Sequence, residues 1–132
     1  MSTTVITCIA LMGILVFVLG ANVTRHRAIR GKSGEPQQSM DPTDRLFIAQ
    51  RAHGNASEYV PSLIGLLIVC STLTDGWWLN TVAIVATAAR YIHAYALLSS
   101  KTLATHGPLR DSGAMFTYLS GVALGITALV AM

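Results

Sequence analysis

Charged residues are scarce in this sequence. They make up 11% of its 132 residues, whereas an ordinary soluble domain carries about a quarter. Cysteine is also rare, since Cys8 and Cys70 are far apart and imply neither a disulfide framework nor a cysteine metal pair. The chain has no His-Glu-x-x-His motif and no phosphate-binding loop, so neither a metal nor a nucleotide cofactor is predicted. The shortage of charge indicates that water is not the main solvent of this chain.

Hydrophobic residues make up 52% of the chain and fall into long runs. A helix needs about 20 residues to cross a hydrocarbon core of about 30 Å. The first run precedes its basic residues instead of following them, which opposes a removable signal peptide. We predict a single membrane domain over residues 1–132, an all-α bundle whose four spanning helices lie at about 4–24, 45–73, 77–100 and 112–131.

Basic residues cluster around two of the three connections. Five surround the first connection and two the third, whereas the second holds only Asp75; the basic residues are Arg25, Arg27, Arg30, Lys32, Arg45, Lys101 and Arg110. The positive-inside rule therefore predicts cytoplasmic first and third connections, with both termini outside. A basic cluster can also bind nucleic acid, but beside a membrane span we assign it to topology and lipid head groups, and predict no nucleic-acid partner.

Two local features concern helix ends and helix packing. Asp41 or Thr43 is a candidate N-cap for the second helix, with Asp44 also favourable near its positive end. On the fourth helix, Gly121 and Gly125 have the spacing of a small-residue packing face.

The second helix carries a polar stripe within its membrane-spanning part. At about 100° per residue, Arg51, Asn55 and Glu58 fall within about 60° of one another, and Tyr59 flanks them. An ionised side chain in mid-membrane costs at least about 2.5 to 3.5 kcal/mol, so such groups face protein or water. We therefore expect this stripe to face another helix or a water-filled cavity.

The third helix carries a complementary stripe. Arg90 and His93 share a face, with Tyr91 and Tyr95 adjoining it. At about 1.5 Å per residue, His93 lies roughly 10 Å inside the cytoplasmic end, about as deep as Arg51. The two stripes can therefore meet, within one subunit or across a subunit boundary.

Two interpretations of these stripes remain open. Glu58 can form an ion pair with Arg51 or Arg90 that only fixes the register of the helices. Buried ion pairs often add little stability, because desolvation offsets the Coulombic gain. One acid beside two arginines leaves positive charge uncompensated, which favours a site for an anionic ligand.

Two segments resemble motifs of the MAPEG family, the membrane-associated proteins in eicosanoid and glutathione metabolism. Residues 50–61 read QRAHGNASEYVP and are similar to the family signature RAxxNxxEYxP, and residues 89–95, ARYIHAY, resemble its helix-three motif. Length, number of spans and orientation agree, so the resemblance covers the whole chain. It implies a homotrimer that binds glutathione between adjacent subunits, near the cytoplasmic side. Within the family, the chain resembles the short bacterial inner-membrane branch.

The resemblance also implies roles for individual side chains. Arg51 and Asn55 would hold carboxylate or backbone atoms of glutathione, and Glu58 would take its ammonium. The tyrosines would supply hydroxyl or stacking contacts. With the helix-three stripe included, the predicted glutathione-binding residues are Arg51, Asn55, Glu58, Tyr59, Arg90, Tyr91, His93 and Tyr95.

Catalytic relatives use an arginine near the end of helix three or the start of helix four to stabilise the glutathione thiolate. A cation there lowers the thiol pKa and so raises the fraction of nucleophile. The candidates in this chain are Arg110 and Lys101, since Leu97 and Leu98 occupy positions that are basic in some relatives. We favour Arg110 as the catalytic residue, with a role in topology alone as the alternative.

The function implied is a glutathione transferase or peroxidase acting on lipophilic electrophiles or hydroperoxides that enter from the bilayer. Its partners are membrane lipids, glutathione as co-substrate and a lipophilic small molecule. Two alternatives stay open: a non-enzymatic membrane protein that binds lipid or small molecules, and a small transporter that uses Glu58 as a proton or cation site.

Overall fold

The computed structural model describes residues 1–131 and forms four α-helices: α1 Thr3–Lys32, α2 Arg45–Leu73, α3 Trp77–Ser99 and α4 Pro108–Val130. Met132 lies outside the described residues. Each helix is long and apolar enough to cross a membrane. The sequence-based prediction of an all-α bundle of four spanning helices is therefore confirmed.

Two helices extend beyond the ends predicted for them. α1 continues past residue 24 to Lys32, because the basic segment after the apolar run contains good helix formers. This extension places Arg30 and Lys32 in the last turn, where positive charge interacts favourably with the negative end of the helix dipole. α4 begins at Pro108 instead of residue 112. Proline suits the first helical position, because its missing N–H would have no partner there.

Asp44, and neither Asp41 nor Thr43, caps α2. Its carboxylate accepts a hydrogen bond from the Leu46 amide at 2.7 Å, whereas Asp41 binds Thr43 in the preceding turn. Asp44 also forms an ion pair with Arg30, which ties the end of α1 to the start of α2. Burial opposes ionisation of Asp44, but these hydrogen bonds and the guanidinium together lower the pKa of its carboxyl.

α2 and α3 form the centre of the bundle. α1 and α4 each pack against both of them, and within residues 1–131 α1 and α4 make no contact with each other. The α1–α2 and α3–α4 connections meet, since the Leu103 amide donates to the Pro42 carbonyl at 2.9 Å. We call this end of the bundle the basic end, because it holds most of the arginines and lysines.

The interior and the outer surface are both apolar. Small residues such as Ala52, Ala56 and Ala83 are buried in the core of the bundle, and the two free cysteines, Cys8 and Cys70, are buried in the same core. Many large aliphatic and aromatic side chains point outward along all four helices. Such a surface suits contact with acyl chains, whereas a water-facing surface of this size would promote association.

Gly113 permits a close approach between α3 and α4. A methyl group built on Gly113 would lie 2.8 Å from the Cβ of His93 and 2.9 Å from its backbone nitrogen. The predicted packing face of Gly121 and Gly125 is less closely packed within the subunit. A Cβ on Gly121 would make ordinary contact with Leu63, and one on Gly125 would have no atom within 4 Å. Gly113 therefore sets where the first turns of α4 lie against α3.

The substitution Gly113→Ala is expected to destabilise the bundle by about 1 to 3 kcal/mol, the usual cost of overpacking. Gly125→Ala is the matched control, because it makes the same change on the same helix in open space. Thermal unfolding in detergent compares the two variants. Equal midpoints would contradict the close packing of α4 against His93.

Candidate polar cavity at the basic end

A cavity of about 420 Å³ opens at the basic end between α2, α3 and α4. It combines apolar side chains with arginine, histidine, asparagine, tyrosine and aspartate. Its lining residues are Phe47, Arg51, Asn55, His93, Leu97, Leu103, His106, Arg110, Asp111, Ala114 and Tyr118. We call this space the polar cavity.

Four of the residues predicted from sequence line the polar cavity together. They come from three helices: Arg51 and Asn55 from α2, His93 from α3 and Arg110 from α4. Arg51 is exposed, Asn55 and Arg110 are half-buried, and His93 is buried. Lys101, the other candidate for thiolate stabilisation, is exposed and does not line the cavity.

Arg90 lies behind the cavity wall and is only 1% exposed. Its Nη2 donates to Asn55 Oδ1 at 2.7 Å, and its Nη1 donates to Thr117 Oγ1 at 3.3 Å. Its guanidinium carbon lies 5.6 Å from the centre of the Tyr59 ring, a cation–π distance. The Nε atom is buried without a hydrogen-bond partner.

No ion pair joins Glu58 to Arg51 or Arg90 within the described part of the chain. Glu58 is exposed, and the hydrogen bonds of the buried Arg90 guanidinium go to neutral groups, Asn55 and Thr117. A buried ion carries a desolvation penalty of several kcal/mol. Within residues 1–131, no carboxylate forms an ion pair with the Arg90 guanidinium.

Arg90 fixes how Asn55 presents itself to the cavity. A guanidinium only donates hydrogen bonds, so the amide atom that faces it must be the oxygen. The Asn55 nitrogen is then left as a donor beside the cavity. Arg90 thus acts through Asn55 as a positioning residue and makes this wall favourable for carboxylate or carbonyl groups.

Tyr59 and Tyr118 connect the polar cavity to an apolar crevice between α2 and α4. Their hydroxyl oxygens are 3.4 Å apart and their ring centres 5.5 Å apart. Tyr118 lines both spaces, and the crevice, of about 240 Å³, continues away from the basic end along Leu63, Leu66 and Val122. A polar and an apolar compartment therefore share a wall.

Three predicted binding residues lie away from the polar cavity. The Tyr91 hydroxyl donates to the Leu11 carbonyl of α1 at 3.0 Å, which places it on the opposite side of α3. Tyr95 is 65% exposed, and Glu58 is exposed on α2. Their contacts with glutathione stay predictions.

Apart from Arg110, sequence reasoning missed the residues of α4 that line the cavity. Asp111, Ala114 and Tyr118 have helical spacing and follow Arg110, so they share a face with it. That spacing was the available signal, but α4 reads as a plain apolar packing helix. His106 in the α3–α4 connection, 3.4 Å from Asp111, carried no motif that would mark it.

These features define an integral membrane protein of four helices with a basic polar cavity at one end of the bundle. The chain belongs to the MAPEG family, whose model matches residues 5–130. The resemblance found in the sequence is thereby confirmed. Comparison with curated proteins and with solved structures gives no match.

The bond from Arg90 to Thr117 can be tested by Thr117→Val, which keeps the shape and removes the acceptor. We expect a loss of stability of about 1.5 kcal/mol or more, since the hydrogen bond involves a charged group. Thr127→Val is the matched control, because the Thr127 hydroxyl bonds only to Ala123 of its own helix. Chemical unfolding in mixed micelles measures both, and equal effects would contradict this account of Arg90.

Proposed function

We propose that the protein is a glutathione-dependent membrane transferase or peroxidase, with glutathione bound at the polar cavity. The co-substrate would be a lipophilic electrophile or hydroperoxide that arrives from the bilayer. The proposal rests on MAPEG membership and on one observation, the uncompensated positive charge around the cavity.

Three guanidinium groups surround this space. Arg51 and Arg90 have no acid partner in the described chain, and Arg110 Nη1 donates only to the carbonyls of Leu103 and Thr105, both at 3.4 Å. Asp111 is the carboxylate among the lining residues. An anionic ligand that also carries one amino group matches three guanidinium groups and one carboxylate better than a neutral ligand does.

Glutathione has that balance, since it carries two carboxylates, one ammonium and a thiol. Arg51 and the Asn55 amide nitrogen would bind carboxylate or carbonyl oxygens, with charge-assisted bonds from the arginine. The ammonium would lie near Asp111, or near Glu58 if a neighbouring subunit completes the site. The cavity volume of about 420 Å³ falls within the range of small-molecule sites, roughly 300 to 1,000 Å³.

The apolar crevice beside Tyr118 offers a place for the lipophilic co-substrate. Its walls are almost entirely apolar, and it adjoins the polar cavity at Tyr59 and Tyr118. A molecule held there would have its reactive atom near the thiol of bound glutathione. Proximity of that kind contributes to catalysis by removing the entropy cost of encounter.

We further propose a homotrimer in a bacterial inner membrane, with the basic end in the cytoplasm and both termini outside. Arg51 and Glu58 are exposed on a membrane-spanning helix of the single subunit. Ionised groups facing lipid are costly, so a neighbouring subunit covering this face of α2 would account for them. Positive charge at the basic end supports the orientation.

A second candidate function is non-enzymatic binding of lipid or small molecules. The position of Arg110 favours it, because its Nη1 already donates to two carbonyls of the α3–α4 connection. If these bonds hold the guanidinium away from the thiol, glutathione would bind without becoming a thiolate.

Replacing Arg51 by Gln is expected to weaken glutathione binding by about tenfold to a hundredfold, the value of a hydrogen bond to a charged group. Titration calorimetry on the purified protein in detergent measures the affinity. Arg25→Gln is the matched control, because Arg25 is exposed on α1 and does not line the polar cavity. Absence of glutathione binding by the native protein would overturn the proposed function.

Arg110→Gln separates the enzyme from the binding protein. In an enzyme, this change should lower the ultraviolet thiolate absorbance of bound glutathione at neutral pH, because a nearby cation favours the thiolate. Affinity should change less than in Arg51→Gln. Native protein that binds glutathione entirely as the thiol would favour the non-enzymatic function.

A further inference from the structure

The His93 ring is fixed by the backbone of α4. Its Nδ1 lies 2.9 Å from the Arg110 carbonyl oxygen, and the side chain is 5% exposed. Gly113 makes this possible, because any side chain there would push α4 away from His93. The contact therefore depends on the close packing of α3 and α4.

This bond selects one tautomer of the imidazole. A carbonyl oxygen can only accept, so Nδ1 must carry the hydrogen. In the neutral ring, Nε2 is then an acceptor with a free lone pair. The structure shows no hydrogen bond to Nε2 within residues 1–131, and Nε2 is not among the fully buried atoms that lack a partner. Since His93 lines the polar cavity, Nε2 is available to a ligand there.

We propose that His93 Nε2 accepts the proton of the bound thiol, which makes His93 a general base of this site. In this step the S–H bond breaks, an Nε2–H bond forms, and the ring becomes an imidazolium that still donates from Nδ1 to the Arg110 carbonyl. The electron pair stays on sulfur as the attacking thiolate. The inference rests on the proposed function, because it needs a thiol in the cavity.

Several charged or titratable groups surround His93. They are Arg51 on α2, Arg90 on α3, His106 in the α3–α4 connection, and Arg110, Asp111 and Tyr118 on α4. α1 contributes no lining residue to the cavity. His106 is the other imidazole, and its 83% exposed side chain lies beside Asp111. A test must therefore distinguish the two histidines.

The fate of the thiol proton distinguishes a base from a cation that only stabilises the thiolate. If His93 takes the proton, glutathione binds as a thiolate and almost no protons are released to the solution. If arginines alone stabilise the thiolate, the proton leaves to the buffer. Calorimetry in two buffers of different ionisation heat counts released protons, and ultraviolet absorbance counts thiolate, at a pH about one unit above the ordinary histidine pKa of about 6.5.

We expect native protein to form bound thiolate with little proton release. His93→Asn keeps an amide donor for the Arg110 carbonyl but has no base. Glutathione should still bind, through groups such as Arg51 and Asn55, while the thiolate signal falls or a matching proton is released. A general base is worth about 10² to 10⁴ in rate, so conjugation of a lipophilic electrophile should fall at least a hundredfold. His93→Ala, which also loses the donor, should lose affinity as well.

Four outcomes would overturn the assignment. The first two are native protein that forms no thiolate and native protein that releases about one proton for each thiolate formed. The third is a His93→Asn variant that keeps the native thiolate signal and proton balance. The fourth is proton release in His106→Gln but not in His93→Asn. That result would make His106, in the α3–α4 connection, the proton acceptor instead of His93. The native measurement decides even if a variant fails to fold. Absence of any glutathione binding is a different result and sinks the proposed function itself.

Discussion

The buried guanidinium of Arg90 is the constraint on which the site depends. It lies between α2, α3 and α4, bonded to Asn55 and Thr117 and stacked against Tyr59, with no carboxylate partner in the described chain. Each of these neutral groups must stay in place, since losing one would leave more of a buried charge unsolvated. The need to solvate one cation therefore orders three helices around the polar cavity.

The second organising contact is backbone against backbone. Gly113 brings the first turns of α4 onto His93, and that approach places the Arg110 carbonyl against the imidazole. One packing contact thus sets the tautomer of His93 and the position of Arg110 beside the cavity. A substitution that changes the packing of Gly113 against His93 would therefore also change the hydrogen bond that sets the imidazole tautomer.

Lipid as solvent explains why a site of this kind can exist in so small a bundle. The apolar side chains on the outer faces do not have to be buried inside the protein, because acyl chains cover them. The interior of the bundle can therefore contain polar groups. In a low dielectric, hydrogen bonds and charges interact more strongly than in water. An anionic guest would be attracted strongly, provided that it can replace its lost hydration with the arginine and amide donors of the cavity.

The sequence alone determined the four spans, the family and the helix stripes that hold Arg51, Asn55, Arg90 and His93, because length, hydropathy and helical spacing are local properties. It could not decide which stripe residues share a cavity. Tyr91 and Tyr95 adjoin the right stripe but turn toward α1 and the outer surface, whereas Tyr118 and Asp111 join the site from an apolar helix. Those assignments depend on how α3 and α4 rotate about their axes, and that rotation is fixed by contacts such as Gly113 against His93, between residues distant in the chain.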